Sequence, residues 1–283
     1  MKRLFSLFLI LFFLSSCSPQ AADGNKGGTA VLFSSLSQIW LEAGGTVDVT
    51  VQESIDRGFA EKGTPLVDTG AGKQIDTEAL IALSPELCIY SLDVPAQVDC
   101  AKLLESCGIR TLGLRVESYG EYLSALKQMC AILGDNQAYS NALSKKEQID
   151  NIISSSPGNG KSFVFIRCGS SAASVKTKGS ADHFAAAMLT ELGLENIADK
   201  DANLLNMGIE AIIASDPDYI FFSTMGDENA AVSRINELLS RDTLQSLSAV
   251  KEGKVTILPK ELFHYKPNSR WTEAYQYLRD CLK

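Results

Sequence analysis

Histidine is scarce in this chain of 283 residues: His183 and His264 are its two copies, so a zinc site of three histidines cannot be assembled. Basic side chains are also short in supply, 26 against 34 acidic, for a net charge of −8. That balance argues against a nucleic-acid partner, because phosphate contacts need a clustered basic surface. The seven cysteines include no CxxC pair, which disfavours a zinc site built on thiolates. No Gly-x-Ser-x-Gly stands between a strand and a helix, so the nucleophile elbow of an extracytoplasmic α/β hydrolase is missing. The nearest stretch, Cys168-Gly169-Ser170-Ser171-Ala172, lacks the final glycine. Internal repeats and aromatic stripes, which a surface adhesin would show, are absent too. Beyond residue 16, no apolar run approaches the ~18 residues that a membrane span requires.

What is present begins with an uneven distribution of apolar residues. Overall, 45% are hydrophobic and 21% charged, ordinary for a globular chain with a core, and the length suits one large domain or two small ones. Residues 1–16, MKRLFSLFLILFFLSS, place two cations before an apolar run from Leu4 to Leu14, the pattern of a signal peptide. Leu14-Ser15-Ser16-Cys17 looks like a bacterial lipobox, in which cleavage leaves a lipidated Cys17 as the new N-terminus. Losing Lys2 and Arg3 with residues 1–16 takes the net charge from −8 to −10. Residues 17–28 are small, polar and glycine-rich, a flexible tether behind the anchor.

From residue 29 the chain alternates strands and helices. Strand-like Ala30–Phe33 and Val47–Val51 flank a helix at Leu36–Ala43. The capped helix Asp76–Leu83, the strand Leu87–Tyr90, the helix Gln97–Cys107 and the strand Thr111–Leu114 follow. Such alternation implies α/β layers around a mainly parallel sheet. Between Ser118 and Ser155 two helical stretches, Tyr119–Leu133 and Asn136–Ile153, run without an intervening strand. Alternation then resumes with the strand Ser162–Arg167, the helices His183–Leu192 and Ile209–Ser215, and the strand Tyr219–Ser223. The helix Asn229–Ser240, the strand Val255–Pro259 and the helix Thr272–Leu282 complete it. The division is an N-terminal lobe 29–117, a helical linker 118–160 carrying one long backbone helix, and a C-terminal lobe 161–283. Ile75–Ile89 and Met207–Ile220 echo one another, each a glutamate-bearing helix, a proline stop and a strand. The echo supports two similar lobes facing each other.

Lipobox, tether, twin lobes, a connecting helix and the paired helix-Pro-(Asp/Glu)-strand segments together resemble the substrate-binding lipoproteins of ABC importers. The likeness is to the helical-backbone class that serves ferric siderophores, haem and vitamin B12. It covers residues 29–283, and Leu247–Pro259 looks like that family's lead into its final strand and cleft loop. It implies two Rossmann-like lobes, a monomer, and little hinge movement because the joining helix is stiff. It also implies a ligand between the lobes, at loops following the carboxyl ends of parallel strands. The implied partners are an ABC permease with its ATPase, a small-molecule metal complex, and the membrane through Cys17. The implied location is extracytoplasmic, and no resident cofactor or metal is expected.

Within those loops the richest candidate is Phe263-His264-Tyr265-Lys266 with Arg270, which combines stacking rings, an imidazole, a phenol and cations. In the vitamin B12-binding relative, the matching loop carries a Trp–Phe pair at positions corresponding to Phe263 and His264. Arg167, at a strand end, could meet an anionic complex, as could Arg57, Lys73 and Arg115 in the facing loops. Ser35 and Gly70 lie in loops on the same side. The polar first-lobe segments Gln52-Glu53-Ser54 and Thr69-Gly70 suit a ferric-siderophore chelate better than a corrin face, while haem remains compatible, with His264 or Tyr265 as axial ligand. Receptors of this class dock through an acidic side chain on each lobe. Asp99 and Glu228 are the candidates, from their place at helix starts near the cleft rim.

Overall fold

Short apolar runs closed by polar loops become strands wherever both of their faces can be covered by helices. The computed structural model describes residues 27–68, 74–200 and 209–282. The signal segment 1–16, Cys17, Gly70, Lys73, Met207 and Gly208 lie outside the described residues. In the first lobe, β1 (Thr29–Val31), β2 (Val49–Thr50), β3 (Leu87–Ser91) and β4 (Arg110–Leu114) form a parallel sheet in the order β2-β1-β3-β4. Its register pairs Ala30 with Cys88 and Val31 with Ile89. Among the described residues, four helices accompany it: α1 (Ser34–Glu42), α2 (Gln52–Asp56), α3 (Thr77–Leu83) and α4 (Pro95–Ser106). The polar segment Gln52-Glu53-Ser54 is therefore helical, the start of α2. Its start is held by Asp68, whose carboxylate accepts the Gln52 N–H at 3.1 Å.

The linker starts with α5 (Tyr119–Leu133), whose Ser118 cap accepts the Glu121 N–H at 3.2 Å and which stops at Gly134 with φ +77°. Asn136–Ile153 is not the continuous helix expected but α6 (Gln137–Ser144) and α7 (Lys146–Ser154). The break falls at Lys145, whose N–H turns to the carbonyl of Ala142 at 3.0 Å. The resulting tighter turn interrupts the regular hydrogen-bond ladder.

In the second lobe, β5 (Ser162–Cys168), β6 (Lys176–Thr177), β7 (Glu195–Asn196), β8 (Tyr219–Thr224) and β9 (Val255–Ile257) form a sheet in the order β6-β5-β8-β9, with β7 also on β5. Among the described residues, only the β5–β6 pairing of this sheet is antiparallel. Its helices are α8 (Phe184–Glu191), α9 (Ile209–Ser215), α10 (Glu228–Leu239), α11 (Asp242–Gln245), α12 (Ser248–Lys251), α13 (Lys260–Phe263) and α14 (Trp271–Asp280). The echo has a backbone counterpart. Ser84 and Asp216, each the residue before the proline stop, both adopt left-handed φ, +48° and +39°. A left-handed residue is a common helix stop, and the proline that follows cannot continue the helix.

The largest apolar cluster joins the lobes, running from Ile39 and Trp40 through Tyr122 and Met129 of α5 to Phe221, Phe263 and Trp271. That continuity gives the two lobes a shared core. Of the cysteines, Cys88, Cys100, Cys107, Cys130, Cys168 and Cys281 are free, and burial pushes the Cys88 thiol up to about 12. Among the described residues, no helix is long and apolar enough to cross a membrane.

Candidate functional site

Because β1, β2, β3, β5 and β8 run parallel within their sheets, their carboxyl ends deliver loops to one edge of each lobe. Between those edges lies a cleft of about 660 Å³, within the range of about 300–1,000 Å³ usual for small-molecule sites. The first-lobe wall comprises Phe33, Ser34 and Ser35 at the start of α1, Gln52, Glu53, Asp56 and Arg57 at α2, and Asp68. Arg167, His264, Tyr265 and Lys266 form the second-lobe wall.

The cations differ in what holds them. Arg57 donates from Nη1 to the Ser34 hydroxyl at 2.9 Å and the Ser35 hydroxyl at 3.4 Å, and its guanidinium lies 3.8 Å from the Tyr265 ring centroid. Arg167, the penultimate residue of β5, buries its Nε without a hydrogen-bond partner among the described residues. Neither arginine has a carboxylate within ion-pair distance among the described residues, and burial holds both below the ordinary arginine value. Lys266 is paired with Glu117 across the lobes. Burial lowers its pKa, and Glu117 opposes that shift.

His264 sits at the end of α13, with Nδ1 2.5 Å from the carbonyl oxygen of Thr224 and its ring edge-on to Tyr265. Burial, the largest influence, lowers its pKa, and the Thr224 contact works the other way. The site can therefore offer an anion the Tyr265 phenol and two guanidiniums, on which Glu53 and Glu117 act only from beyond ion-pair distance. The Ser34 hydroxyl donates to the Glu53 carboxylate within the same wall.

The structure brings Ser35, Arg57, Arg167, His264, Tyr265 and Lys266 together and leaves Arg115, Phe263 and Arg270 apart, while Gly70 and Lys73 lie outside the described residues. Phe263 is a correction: it is fully buried and packs on Tyr277 at 5.7 Å, because the single turn of α13 points it into the core while His264 faces the cleft. Arg115 is half exposed, paired with Asp93 at 3.3 Å and away from the cleft lining. Arg270 lies outside this cavity, held by both carboxylate oxygens of Glu273 at 2.7 Å. Asp99 is in the second turn of α4 rather than at its start, exposed and paired with Lys102 at 2.8 Å. Glu228 is the first residue of α10, beside its Asp227 cap.

Phe33, Asp56, Asp68 and Val94 line the cleft and were not singled out from the sequence. Asp68 carried no local signal, since it faces α2 only through the bridges Thr50–Leu66 and Asp68–Ile75. Among the described residues, no group of three or more His, Cys, Asp or Glu side chains converges as a metal site.

The model of the family described as periplasmic binding protein matches residues 30–262. No curated protein matches the sequence. Solved structures share the fold at low identity. An ABC transporter substrate-binding protein from Listeria monocytogenes EGD-e is 16% identical over 91% of this chain and 98% of its own, with a TM-score of 0.70. A periplasmic haem-binding protein from Roseiflexus sp. RS-1 is 15% identical over 91% and 98%, also at 0.70. A periplasmic vitamin B12-binding protein of Vibrio cholerae is 17% identical over 90% and 95%, at 0.68.

Proposed function

The chain belongs to the periplasmic binding protein family, and on that premise we propose that it captures an anionic iron chelate of the ferric-siderophore type and delivers it to an ABC importer. The observation that carries this reading is the pair Arg57 and Arg167. Both face the cleft without a carboxylate partner among the described residues, in a protein whose acids outnumber its bases. Desolvating a cation without pairing it is costly, and a ligand anion seated between the lobes offsets that cost. Planar guanidiniums also match carboxylate and catecholate oxygens two at a time.

Haem is the second reading, favoured by Tyr265 and His264 standing side by side in the same wall, since either side-chain type ligates haem iron while the arginines receive the propionates. Cobalamin fits less well against a first-lobe wall rich in Ser34, Ser35, Gln52 and Glu53. A hydrolase at Cys168–Ala172 gains no support, since the stretch lacks the second glycine of a nucleophile elbow and the matching family is described as periplasmic binding protein.

On this reading the protein is extracytoplasmic, works as a monomer with a permease and its ATPase, and is held to the membrane by lipidated Cys17. Asp99 and Glu228 are the proposed docking carboxylates. The test is a titration of the full chain with a ferric catecholate, a ferric hydroxamate, haem and cyanocobalamin, followed by tryptophan fluorescence. Binding of the anionic iron complexes in preference to cyanocobalamin supports the reading, and failure of all four overturns it.

A further inference from the structure

Arg57 stands where the two lobes meet, flanked by an aromatic ring from each. Its guanidinium carbon lies 4.7 Å from the ring centroid of Phe59, in the first lobe, and 3.8 Å from that of Tyr265, in the second. Nη1 is committed to the hydroxyls of Ser34 and Ser35 at 2.9 and 3.4 Å. Nε and Nη2 make no hydrogen bond among the described residues, and neither is sealed from solvent. That remaining N–H edge is what Arg57 can offer an oxygen in the cleft it lines. Glu53 and Glu261 favour its charge from beyond ion-pair distance.

The two rings differ in what holds them to Arg57. Phe59 follows two residues later on the same lobe, so its contact is local. Tyr265 belongs to the opposite lobe, and His264 braces it edge-on at 4.6 Å between ring centroids. The Tyr265 hydroxyl makes no hydrogen bond among the described residues, whereas its ring carries the guanidinium. Arginine has a long side chain with many rotamers. Fixing its guanidinium before the ligand arrives removes that ordering cost from binding, and planar stacking on an aromatic ring is suited to do so.

We propose that Tyr265 is a positioning residue: its ring holds the guanidinium of Arg57 so that the free N–H edge meets an anionic oxygen of the ligand, and its hydroxyl takes no part. The inference rests on the anionic-chelate reading and sharpens it, because it assigns Tyr265 to Arg57 rather than to iron.

The experiment uses the full chain as wild type, Tyr265→Phe, Tyr265→Leu, Arg57→Gln and the double variant Tyr265→Leu/Arg57→Gln. Without ligand, the nitrogen–proton NMR spectrum of the arginine Nε–H groups reports the stack. The Arg57 signal, identified by its loss in Arg57→Gln, should hold its place in Tyr265→Phe and move downfield in Tyr265→Leu as ring-current shielding is lost. Affinity is then measured for whichever of a ferric catecholate and a ferric hydroxamate binds the wild type more tightly. Tyr265→Phe should bind as the wild type does and Tyr265→Leu at least fivefold more weakly. In the Arg57→Gln background the leucine should cost nothing further, since residues that act as one unit are not additive. Equal losses in Tyr265→Phe and Tyr265→Leu would make the hydroxyl the working group and overturn the proposal. Full affinity in Tyr265→Leu, an unmoved Arg57 signal, or a further loss in the double variant overturns it as well. If neither iron complex binds the wild type, the chelate reading fails, and the positioning of Arg57 stands or falls on its NMR signal.

Discussion

Asn268 of the second lobe reaches into the first, its side-chain amide donating to the Ser35 carbonyl at 3.0 Å and to Oε1 of Gln38 at 2.8 Å. It is fully buried and holds a left-handed φ of +48°, a conformation asparagine tolerates better than most residues. Ser35 in turn accepts from Arg57. One residue thus links the junction of the lobes to the wall of the cleft.

Asn268→Ala should destabilise the fold by about 2–3 kcal/mol, from two hydrogen bonds of about 1 kcal/mol each and the cost of a left-handed alanine. Urea unfolding followed by the fluorescence of buried Trp40 and Trp271 measures it. An unchanged midpoint would show that this contact between the lobes carries no weight.

Arg167→Met should separate binding from stability. Charge-assisted hydrogen bonds contribute about 1.5–3 kcal/mol, so affinity for an anionic iron complex should drop more than about tenfold. The Tm of the unliganded protein should rise, because a half-buried cation whose Nε lacks a partner is exchanged for an apolar side chain of similar length. A variant that loses Tm as well as affinity would mean that Arg167 is a structural residue.

Acid should weaken the fold through its histidines. The His183 ring caps α8, Nδ1 accepting the Ala185 N–H at 3.2 Å, which requires the unprotonated nitrogen. Its pKa is held well below the ordinary 6.5, first by burial and then by Arg167, Lys266, Lys178 and His264. Burial lowers His264 as well. The unfolded chain therefore binds protons near 6.5 that the folded chain refuses. Stability is fully present above that pH and declines as pH falls below it. Glu42, raised from 4.5 by burial, acts in the opposite sense: it costs stability above 4.5, and its protonation relieves part of the acid loss. Tm recorded from about pH 7 to 5 should fall in the wild type and fall less in His183→Asn, which keeps a cap acceptor without titrating. Identical profiles would remove His183 from the account.

Gly158→Ala should be strongly destabilising. A Cβ there would stand 2.2 Å from the carbonyl oxygen of Leu192 and 2.8 Å from the carbonyl carbon of Gly193, and backbone cannot swing aside as a side-chain tip can. A loss of about 2 kcal/mol or more is expected, whereas Gly134→Ala meets no atom and is opposed only by its φ of +77°. Thermal melts of the two variants compare the effects, and an equal, small loss in both would refute the steric argument.

Cys17→Ser should release the protein from the membrane fraction, since one N-terminal segment would no longer carry acyl chains worth about 0.8 kcal/mol per buried methylene. Retention of the variant on membranes, or absence of labelled fatty acid from the wild type, would place the anchor elsewhere.

Much of the fold was legible locally. Asp76 was readable as a helix cap, and its Oδ1 accepts the Ala79 N–H at 2.9 Å. The strands Leu87–Ser91, Ser162–Cys168 and Tyr219–Thr224 lie where continuous apolar runs announced them, because parallel strands covered on both faces read as unbroken hydrophobic segments. The short elements β6, β7 and α11 to α13 were not legible, since two to four residues carry no period. The break at Lys145 was equally silent, as neither proline nor glycine marks it.

The sequence alone determined the alternation of strands and helices, the apolar run before Cys17 and the stretch in which His264 and Tyr265 would be found. Those are properties of near neighbours along the chain. Only the tertiary structure decided which side chains of that stretch reach the cleft and which cations stay unneutralised. Consecutive residues on a helical turn point about 100° apart, so Phe263 enters the core while His264 turns outward. An arginine is neutralised or left free by residues distant in sequence. Arg115 meets Asp93 and Lys266 meets Glu117, 149 positions away, whereas Arg57 and Arg167 find no carboxylate at ion-pair distance among the described residues. Pairing of charge is a long-range fact of packing, and it is the fact on which the site depends.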